Sequence, residues 1–337
     1  MKAIFLSESP ESVQRVYTAR QAQELTYEAG LFPQVFRRQD LLADPAYFSN
    51  VVHVFSTWGM PALGADEIAA CLPSLRNVFY AAGSVQSFAR PFLARGVRVF
   101  SAWSANAVPV AEYAVAQILL ANKGFFAASR GIVDPASRAA AAHRAGAFPG
   151  NYGCAVGILG AGQIGRRVIR ALAGLTGHLA VKVFDPFCSD EALREDGAVR
   201  CGLDEIFATC QTISNHLANN AETRGMLGYA LFSKMAPNAT FINTGRGAQV
   251  VEEDLVRALR EEPGRTAVLD VTSPEPPPAG HPFYALPNVV LTPHIAGSSG
   301  NEVHRMAQLM VDTFRRVALQ GAGSDCEVTP EMLRTMA

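Results

Sequence analysis

Three stretches in the last third of the chain carry polar residues whose types and spacing could do chemistry. They are Arg246 in FINTGRGAQVVEEDL, Asp270 and Glu275 in TAVLDVTSPEP, and His294 in NVVLTPHIAG. Each follows a short apolar run. A protonated histidine can give a proton to an oxyanion, and a neutral one can take it back. A carboxylate at the other ring nitrogen orients the imidazole and favours its charged form, and Glu275 is the candidate. An arginine can bind a carboxylate and a neighbouring carbonyl together through its planar fork, which lysine cannot do. Singly, each residue has an ordinary reading: a core or surface histidine, a strand-end ion pair, a solvated glutamate in a Pro-rich loop. As a set they fit proton transfer at a carbonyl next to a carboxylate.

A fourth stretch supplies the missing partner. CAVGILGAGQIGRRVIRAL (154–172) holds Gly160, Gly162 and Gly165 in GxGxxG spacing. Alone this pattern is weak, but here an apolar strand enters it and a helix with Ile164, Val168, Ile169 and Leu172 on one side leaves it. Gly160 permits the tight turn, Gly162 lets the backbone approach a pyrophosphate on the helix N-terminus, and Gly165 allows close helix–strand packing. The next strand, VKVFD, ends in Asp185, 20 residues after Gly165. An acid there accepts hydrogen bonds from ribose hydroxyls and would repel a 2′-phosphate, and no Arg or Lys follows until Arg194, so NAD is expected over NADP. Arg166 and Arg167 read as solvated first-turn residues. Hydride transfer from a nicotinamide to a keto carbon leaves an oxyanion that needs a proton, the task that suits His294.

These residues must be positioned by the elements around them. KAIFL (2–6), VVHVF (51–55), NVFYA (77–81) and VRVF (97–100) read as buried strands, and so do CAVGILG, AVKVFD, QTISN, ATFIN, TAVLD and NVVLT. Helical patterns fall at 11–29, 65–72, 86–95, 163–174, 226–235, 251–261 and 298–320. Continuously apolar strands belong in parallel sheets covered on both faces. Alternation of strand and helix predicts α/β architecture, doubly wound, in which ligands bind at the carboxyl ends of the strands. Arg246, Asp270, Glu275 and His294 should therefore converge on the edge where the glycine loop lies. Two blocks are expected, 1–103 and 104–296, with Asn106 and Pro109 just before a long helix and an irregular patch at 131–150. The amphipathic helix at 298–320 (Val303, Met306, Leu309, Met310, Phe314) is either a tail or an element that returns to the first block.

Composition excludes several classes. The chain has 337 residues, enough for two domains. Lys+Arg 29 against Asp+Glu 30 gives no basic excess for a nucleic acid or a membrane surface, so neither is expected as a partner. The six cysteines form no CxxC, which points to reduced thiols and the cytoplasm, and no metal site is expected. The opening MKAIFLSESPESVQR has too short an apolar run for a signal peptide.

Taken together, GILGAGQIG with FDP, SNHLANNAETRGML, INTGRGAQVVEEDL, LDVTSPEP and LTPHIAG resemble the D-isomer-specific 2-hydroxyacid dehydrogenase family. The resemblance covers nearly the whole chain and is best from about 150 to 315. It implies a flavodoxin-like substrate domain (1–103 with 297–337, the terminal helix crossing back) and a Rossmann NAD-binding domain (104–296), with a cleft between them. It implies that Arg246, Glu275 and His294 are catalytic and that Asp270 binds the nicotinamide carboxamide. It adds Gln163, Ile164, His216, Thr223, Thr244, Gly245 and Gly297 to the glycines and Asp185 as cofactor residues, with Arg246 and His294 also touching the cofactor. AAGSV (81–85) takes the place of the loop whose backbone N–H groups hold the substrate carboxylate, so Ala82, Gly83 and Ser84 join Arg246 and His294 at the substrate. A homodimer interface is implied on the long helix after Asn106. There are departures: Gln86 and Ser87 stand where the family often has an Asp, Ala218 replaces a proline, and Gly245 replaces a small side chain.

The expected activity is interconversion of a D-2-hydroxy acid and a 2-keto acid with NAD. VTSPEPPPAGHPF resembles the glyoxylate and hydroxypyruvate reductase branch, which favours a small keto acid. The alternatives are a phosphorylated hydroxy acid, which would want basic residues in the first block (Arg76, Arg90, Arg95, Arg98), or an NADH-sensing protein without turnover.

Overall fold

The computed structural model describes residues 2–176 and 178–334. The chain forms two compact units, Met1–Ala107 with Ser298–Ala337, and Val108–Gly297. The first is built on strands β1 (Ala3–Leu6), β2 (Leu31–Phe36), β3 (His53–Ser56), β4 (Asn77–Tyr80) and β5 (Arg98–Ser101). The second holds β6 (Ala155–Leu159), β7 (Ala180–Phe184), β8 (Ala198–Arg200), β9 (Thr212–Asn215), β10 (Thr240–Asn243), β11 (Thr266–Leu269) and β12 (Val289–Leu291). The last strand, β13 (Glu327–Val328), belongs to the first unit and runs antiparallel to β5.

In the first unit the order is β13-β5-β4-β3-β1-β2, all parallel except β13, which is the flavodoxin-like winding. Alternate residues of β1 feed opposite layers: Ile4 and Leu6 one core, Ala3 and Phe5 the other. Both faces are covered, which is why these strands read as continuous apolar runs. On one face Phe55, Phe79 and Phe100 stack at 5.0 and 5.1 Å, and Phe314 meets the first two edge-on at 5.6 and 5.7 Å. Phe314 ends the helix Val303–Phe314, whose Val303, Met306, Ala307, Met310 and Val311 are buried on this sheet. Residues 303–333 are thus a working part of the first unit's core.

In the second unit the order is β12-β11-β10-β9-β6-β7-β8, all parallel, the Rossmann winding extended by one strand. Its register puts Phe184, Leu159, Asn215, Asn243, Leu269 and Leu291 in one row across the sheet. Each is the last residue of its strand. At about 4.8 Å per strand, the four steps from Leu159 to Leu291 span roughly 19 Å. Every loop carrying a candidate residue of this unit leaves from that one edge.

Several local expectations differ from the structure. β2 is LFPQVF, whose Pro33 and Gln34 hide the strand pattern; it is tolerated at a sheet edge beside an irregular register with β1. The expected helix at 11–29 is two, Pro10–Val16 and Ala19–Ala29, because Thr18 and Gln21 form a capping box that starts a second helix. Asn106 and Pro109 lie inside the long helix Trp103–Asn122, not before it. Burial of Ala111, Ala114, Val115, Ile118 and Ala121 outweighs the hydrogen bond that Pro109 removes. The patch at 131–150 contains the helix Pro135–Ala145, started by Asp134, whose side chain accepts the Ser137 N–H. The pattern at 226–235 yields only the single turn Tyr229–Phe232.

Candidate active site

At the edge of β6 the glycine loop takes the shape its spacing requires. Gly160 has φ +90°, and a side chain there would come 2.8 Å from the His216 carbonyl oxygen. At Gly165 an added Cβ would lie 1.9 Å from the Gly160 carbonyl oxygen, so the helix Gln163–Thr176 could not pack so close to the loop. At Gly162 it would meet nothing within 4 Å, which leaves the space above the loop free for a phosphate. Gln163 is exposed and Ile164 half-buried in the first turn. These residues fit a bound dinucleotide. Asp185 closes the loop beneath: its carboxylate accepts the N–H groups of Ala161 (2.7 Å), Phe187 (2.8 Å) and Cys188 (2.8 Å). Arg200 of β8 donates to the carbonyls of Asp185 and Cys188 and pairs with Asp190. Arg166 is not merely solvated; with Arg170 it grips the buried Asp196 at 2.6 and 2.5 Å, tying the glycine-loop helix to the element after β7.

Past β9 and β10 the loops are joined by buried amides. Asn215 donates to the side-chain oxygens of Asn243 (3.0 Å) and Gln249 (2.7 Å), and Gln249 donates to the carbonyls of Leu217 (2.8 Å) and Ala218 (3.0 Å). The Arg246 N–H donates to Gln249 and the Gly245 N–H to Asn243. This network crowds Gly245, where a Cβ would lie 2.7 Å from Gln249 Oε1. His216 sits between Ser214 Oγ (Nε2, 2.9 Å) and Thr244 Oγ1 (Nδ1, 3.3 Å), and burial holds its pKa down to about 4. Thr223 donates to the Ala218 carbonyl at 2.6 Å and so shapes its own loop.

Arg246 is half-buried. Its Nη1 donates to the Gly245 carbonyl at 2.7 Å, and among the described residues no carboxylate forms an ion pair with it. Burial pushes its guanidinium below the ordinary arginine range, and the charge of Glu275 acts the other way. A partly desolvated guanidinium with free N–H groups is an anion site.

Past β11 and β12, the buried Asp270 accepts Thr292 Oγ1 (2.6 Å), the Ile295 N–H (2.9 Å) and the Ala296 N–H (2.9 Å), and Tyr113 reaches the same Thr292 hydroxyl at 3.0 Å. Inside this clamp His294 has φ +55°, a left-handed conformation uncommon outside glycine. Its Nδ1 lies 2.7 Å from Glu275 Oε1. Both side chains are open to solvent, leaving Nε2 available to a ligand. Gly297 follows, half-buried.

The structure thus brings Arg246, Asp270, Glu275 and His294 together along one sheet edge, with Gly160, Gly162, Gly165, Asp185, His216, Thr244 and Gly245 on the same edge. Ala82, Gly83 and Ser84 belong to the first unit, at the carboxyl end of β4, where Ser101 Oγ donates to the carbonyls of Ala82 (2.9 Å) and Gly83 (2.6 Å). The sequence reading missed Asn215, Asn243, Gln249, Thr292 and Tyr113. A polar residue closing two apolar strands, TISN and TFIN, was the available signal. Among the described residues no helix is long and apolar enough to cross a membrane, and no cluster of metal-ligating side chains is found.

Comparison with known proteins speaks to the family and the fold. The chain is 31% identical over 259 residues to D-3-phosphoglycerate dehydrogenase of Mycobacterium leprae, covering 76% of this chain and 47% of that one. It is 39% identical over 143 residues to glyoxylate/hydroxypyruvate reductase A of Serratia proteamaculans, 42% of this chain and 44% of that one. The matches span under half the length of these curated relatives. Among solved structures, apo D-mandelate dehydrogenase of Rhodotorula graminis aligns over 97% of this chain and 98% of its own, with a TM-score of 0.80 at 20% identity. A glyoxylate reductase of Paecilomyes thermophila aligns over 98% and 99% with a TM-score of 0.74 at 23% identity. Both likenesses speak to the fold. Residues 117–296 match the family model described as D-isomer specific 2-hydroxyacid dehydrogenase, NAD binding domain, in accord with the expected cofactor. That match takes in more than half of the chain, which belongs to the D-isomer specific 2-hydroxyacid dehydrogenase family.

Proposed function

We propose that the protein interconverts a small 2-keto acid and its D-2-hydroxy acid with NADH and NAD. The observation that carries this reading is a half-buried guanidinium, Arg246, with no ion-pair partner among the described residues, on the same sheet edge as a histidine held at 2.7 Å by a carboxylate. NADH, when bound, supplies the hydride. Arg246 binds the carboxylate and the keto oxygen. Glu275 holds Nδ1 of His294, so Nε2 gives its proton to the keto oxygen as negative charge develops there, and takes the hydroxyl proton in the reverse direction. The backbone at Ala82, Gly83 and Ser84 is assigned to the substrate carboxylate. The dinucleotide is assigned to Gly160, Gly162, Gln163, Ile164, Gly165 and Asp185, with His216, Thr223, Thr244, Gly245, Asp270 and Gly297 lining its groove.

Glyoxylate or hydroxypyruvate is the favoured substrate class, supported by the reductase relative and by VTSPEPPPAGHPF. The D-3-phosphoglycerate dehydrogenases among the relatives favour a second reading, a phosphorylated hydroxy acid. The arginines of the first unit speak against it. Arg76 directly precedes β4 and Arg95 and Arg98 lie before and at the start of β5, at the opposite strand ends from the loop 82–84. Arg98 is also held by Glu327 at 2.7 Å, and Arg90 donates to Gln86 and the Leu333 carbonyl.

Turnover with NADH across glyoxylate, hydroxypyruvate, phosphohydroxypyruvate and bulkier 2-keto acids tests the reading. We expect the highest kcat/KM on the two small unphosphorylated acids. A preference for the phosphorylated acid would reverse the assignment, and NADH binding without turnover on any of them would leave a sensing protein. The cytoplasm is assigned from the free cysteines, and a homodimer from the family resemblance; light scattering in solution checks the latter.

A further inference from the structure

We propose that Glu252 is a positioning residue whose single carboxylate ties both ends of the loop carrying Glu275 and thereby holds Glu275 against His294. The inference rests on the roles assigned above to Glu275 and His294. Oε1 of Glu252 accepts the Ser273 N–H at 2.7 Å, and Oε2 lies 3.4 Å from Nε2 of His281. Ser273 stands two residues before Glu275, and His281 six residues after it. The Phe283 N–H donates to His281 Nδ1 at 3.3 Å, which leaves the ring proton on Nε2, facing the carboxylate.

The anchor is rigid, while the loop itself is held by a few hydrogen bonds to its carbonyls, from Thr272 Oγ1 to Pro274 (2.9 Å), the Tyr284 hydroxyl to Pro277 (2.9 Å) and the His281 N–H to Pro278 (3.0 Å). Glu252 opens the helix Glu252–Glu261, whose Leu255, Val256, Ala258 and Leu259 are buried in the core of the second unit. Side-chain exposure is 11% at Glu252 and 17% at His281, so water competes weakly for either. Burial raises the Glu252 carboxyl above its ordinary range, and the Ser273 N–H and His281 draw it down. The loop between the two anchored ends is mostly exposed and rich in proline, with no buried side chain to hold it. Those bonds set the loop's internal shape, and the fixed ends set where it stands, and with it the 2.7 Å contact between Glu275 and His294.

The test is a double-mutant cycle of Glu252→Ala with Glu275→Gln, reading kcat for keto-acid reduction, the Kd of NADH and thermal stability. Expected is a loss of about tenfold in kcat for Glu252→Ala, an unchanged NADH Kd, and no further loss when it is added to Glu275→Gln. Full kcat in Glu252→Ala, or losses that multiply in the double variant, would overturn the inference, because a role in stability alone does not act through Glu275. Parental turnover in Glu275→Gln alone would remove the role of Glu275 itself and this inference with it, so the two failures are distinguishable. Should Glu252→Ala not fold, Glu252→Gln keeps an acceptor for Ser273 and releases only the His281 end; the same cycle and the same criteria apply.

Discussion

Asp270 clamps the loop in which His294 is held left-handed. Its two oxygens accept the N–H groups of the two residues after the histidine, Ile295 and Ala296, both at 2.9 Å, while His294 sits at φ +55°. A side chain in that conformation costs about 1–3 kcal/mol and persists only where neighbours enforce it. The buried carboxylate is the enforcing group, so Asp270 acts on the histidine whatever else it binds.

His294→Asn tests this strain. Asparagine tolerates the left-handed region, so thermal stability should be equal to the parent or higher, while kcat falls by about 10²–10⁴-fold with the general acid removed. A clear drop in Tm would refute the strain. Asp270→Asn should instead destabilise, by about 1–3 kcal/mol, because its amide cannot accept all three donors.

Arg246→Lys should raise KM for the keto acid and lower kcat, since a lysine cannot reproduce the two-pronged grip. NADH affinity should change little. Steady-state kinetics with direct NADH titration separate the two, and normal turnover in the lysine variant would remove Arg246 from the substrate.

Asp185 predicts the cofactor preference. Its carboxylate would face a 2′-phosphate, so kcat/KM should favour NADH over NADPH. Asp185→Ser with Phe187→Arg should narrow the ratio. It should also weaken NADH binding, because Asp185 accepts three N–H groups that shape the glycine loop and the turn after β7. A parental preference for NADPH would contradict the assignment.

His216 links stability to pH. Burial holds its folded pKa down to about 4, whereas an unfolded chain protonates it near the ordinary value of about 6.5. Its contribution is therefore present above about pH 6.5 and is lost as pH falls toward 4, about 2 kcal/mol of it by pH 5. His53, lowered to about 4 mainly by burial, adds a parallel loss in the first unit. Denaturant unfolding at about pH 7.5 and pH 5 should show a smaller acid loss in His216→Gln than in the parent; equal losses would contradict a buried neutral ring.

The sequence by itself determined what local pattern can carry. Continuously apolar strands meant parallel sheets with both faces covered, as alternate residues of β1 feeding two cores show. GxGxxG between a strand and a helix meant a tight glycine turn packed against a helix, and Gly160 and Gly165 are sterically required while Gly162 borders open space. Charged residues placed just past apolar runs meant one sheet edge, because parallel strands end together, and the row from Leu159 to Leu291 realises it. Local pattern also misled where context overrode it, at Pro33 in an edge strand and Pro109 inside a packed helix.

What only the tertiary structure decided are pairings between residues far apart in the chain. The amides of Asn215, Asn243 and Gln249 meet because β9 and β10 are neighbours in register, and nothing local to any of them names the others. The left-handed turn at His294 comes from Asp270, 24 residues earlier, and the anchor of the Glu275 loop comes from Glu252 in a preceding helix. Propensity describes a residue's own backbone, whereas buried polar groups must find partners wherever the packed elements bring them. The candidate site residues could therefore be named from the chain, but the hydrogen bonds that hold them in place could be read only from the folded protein.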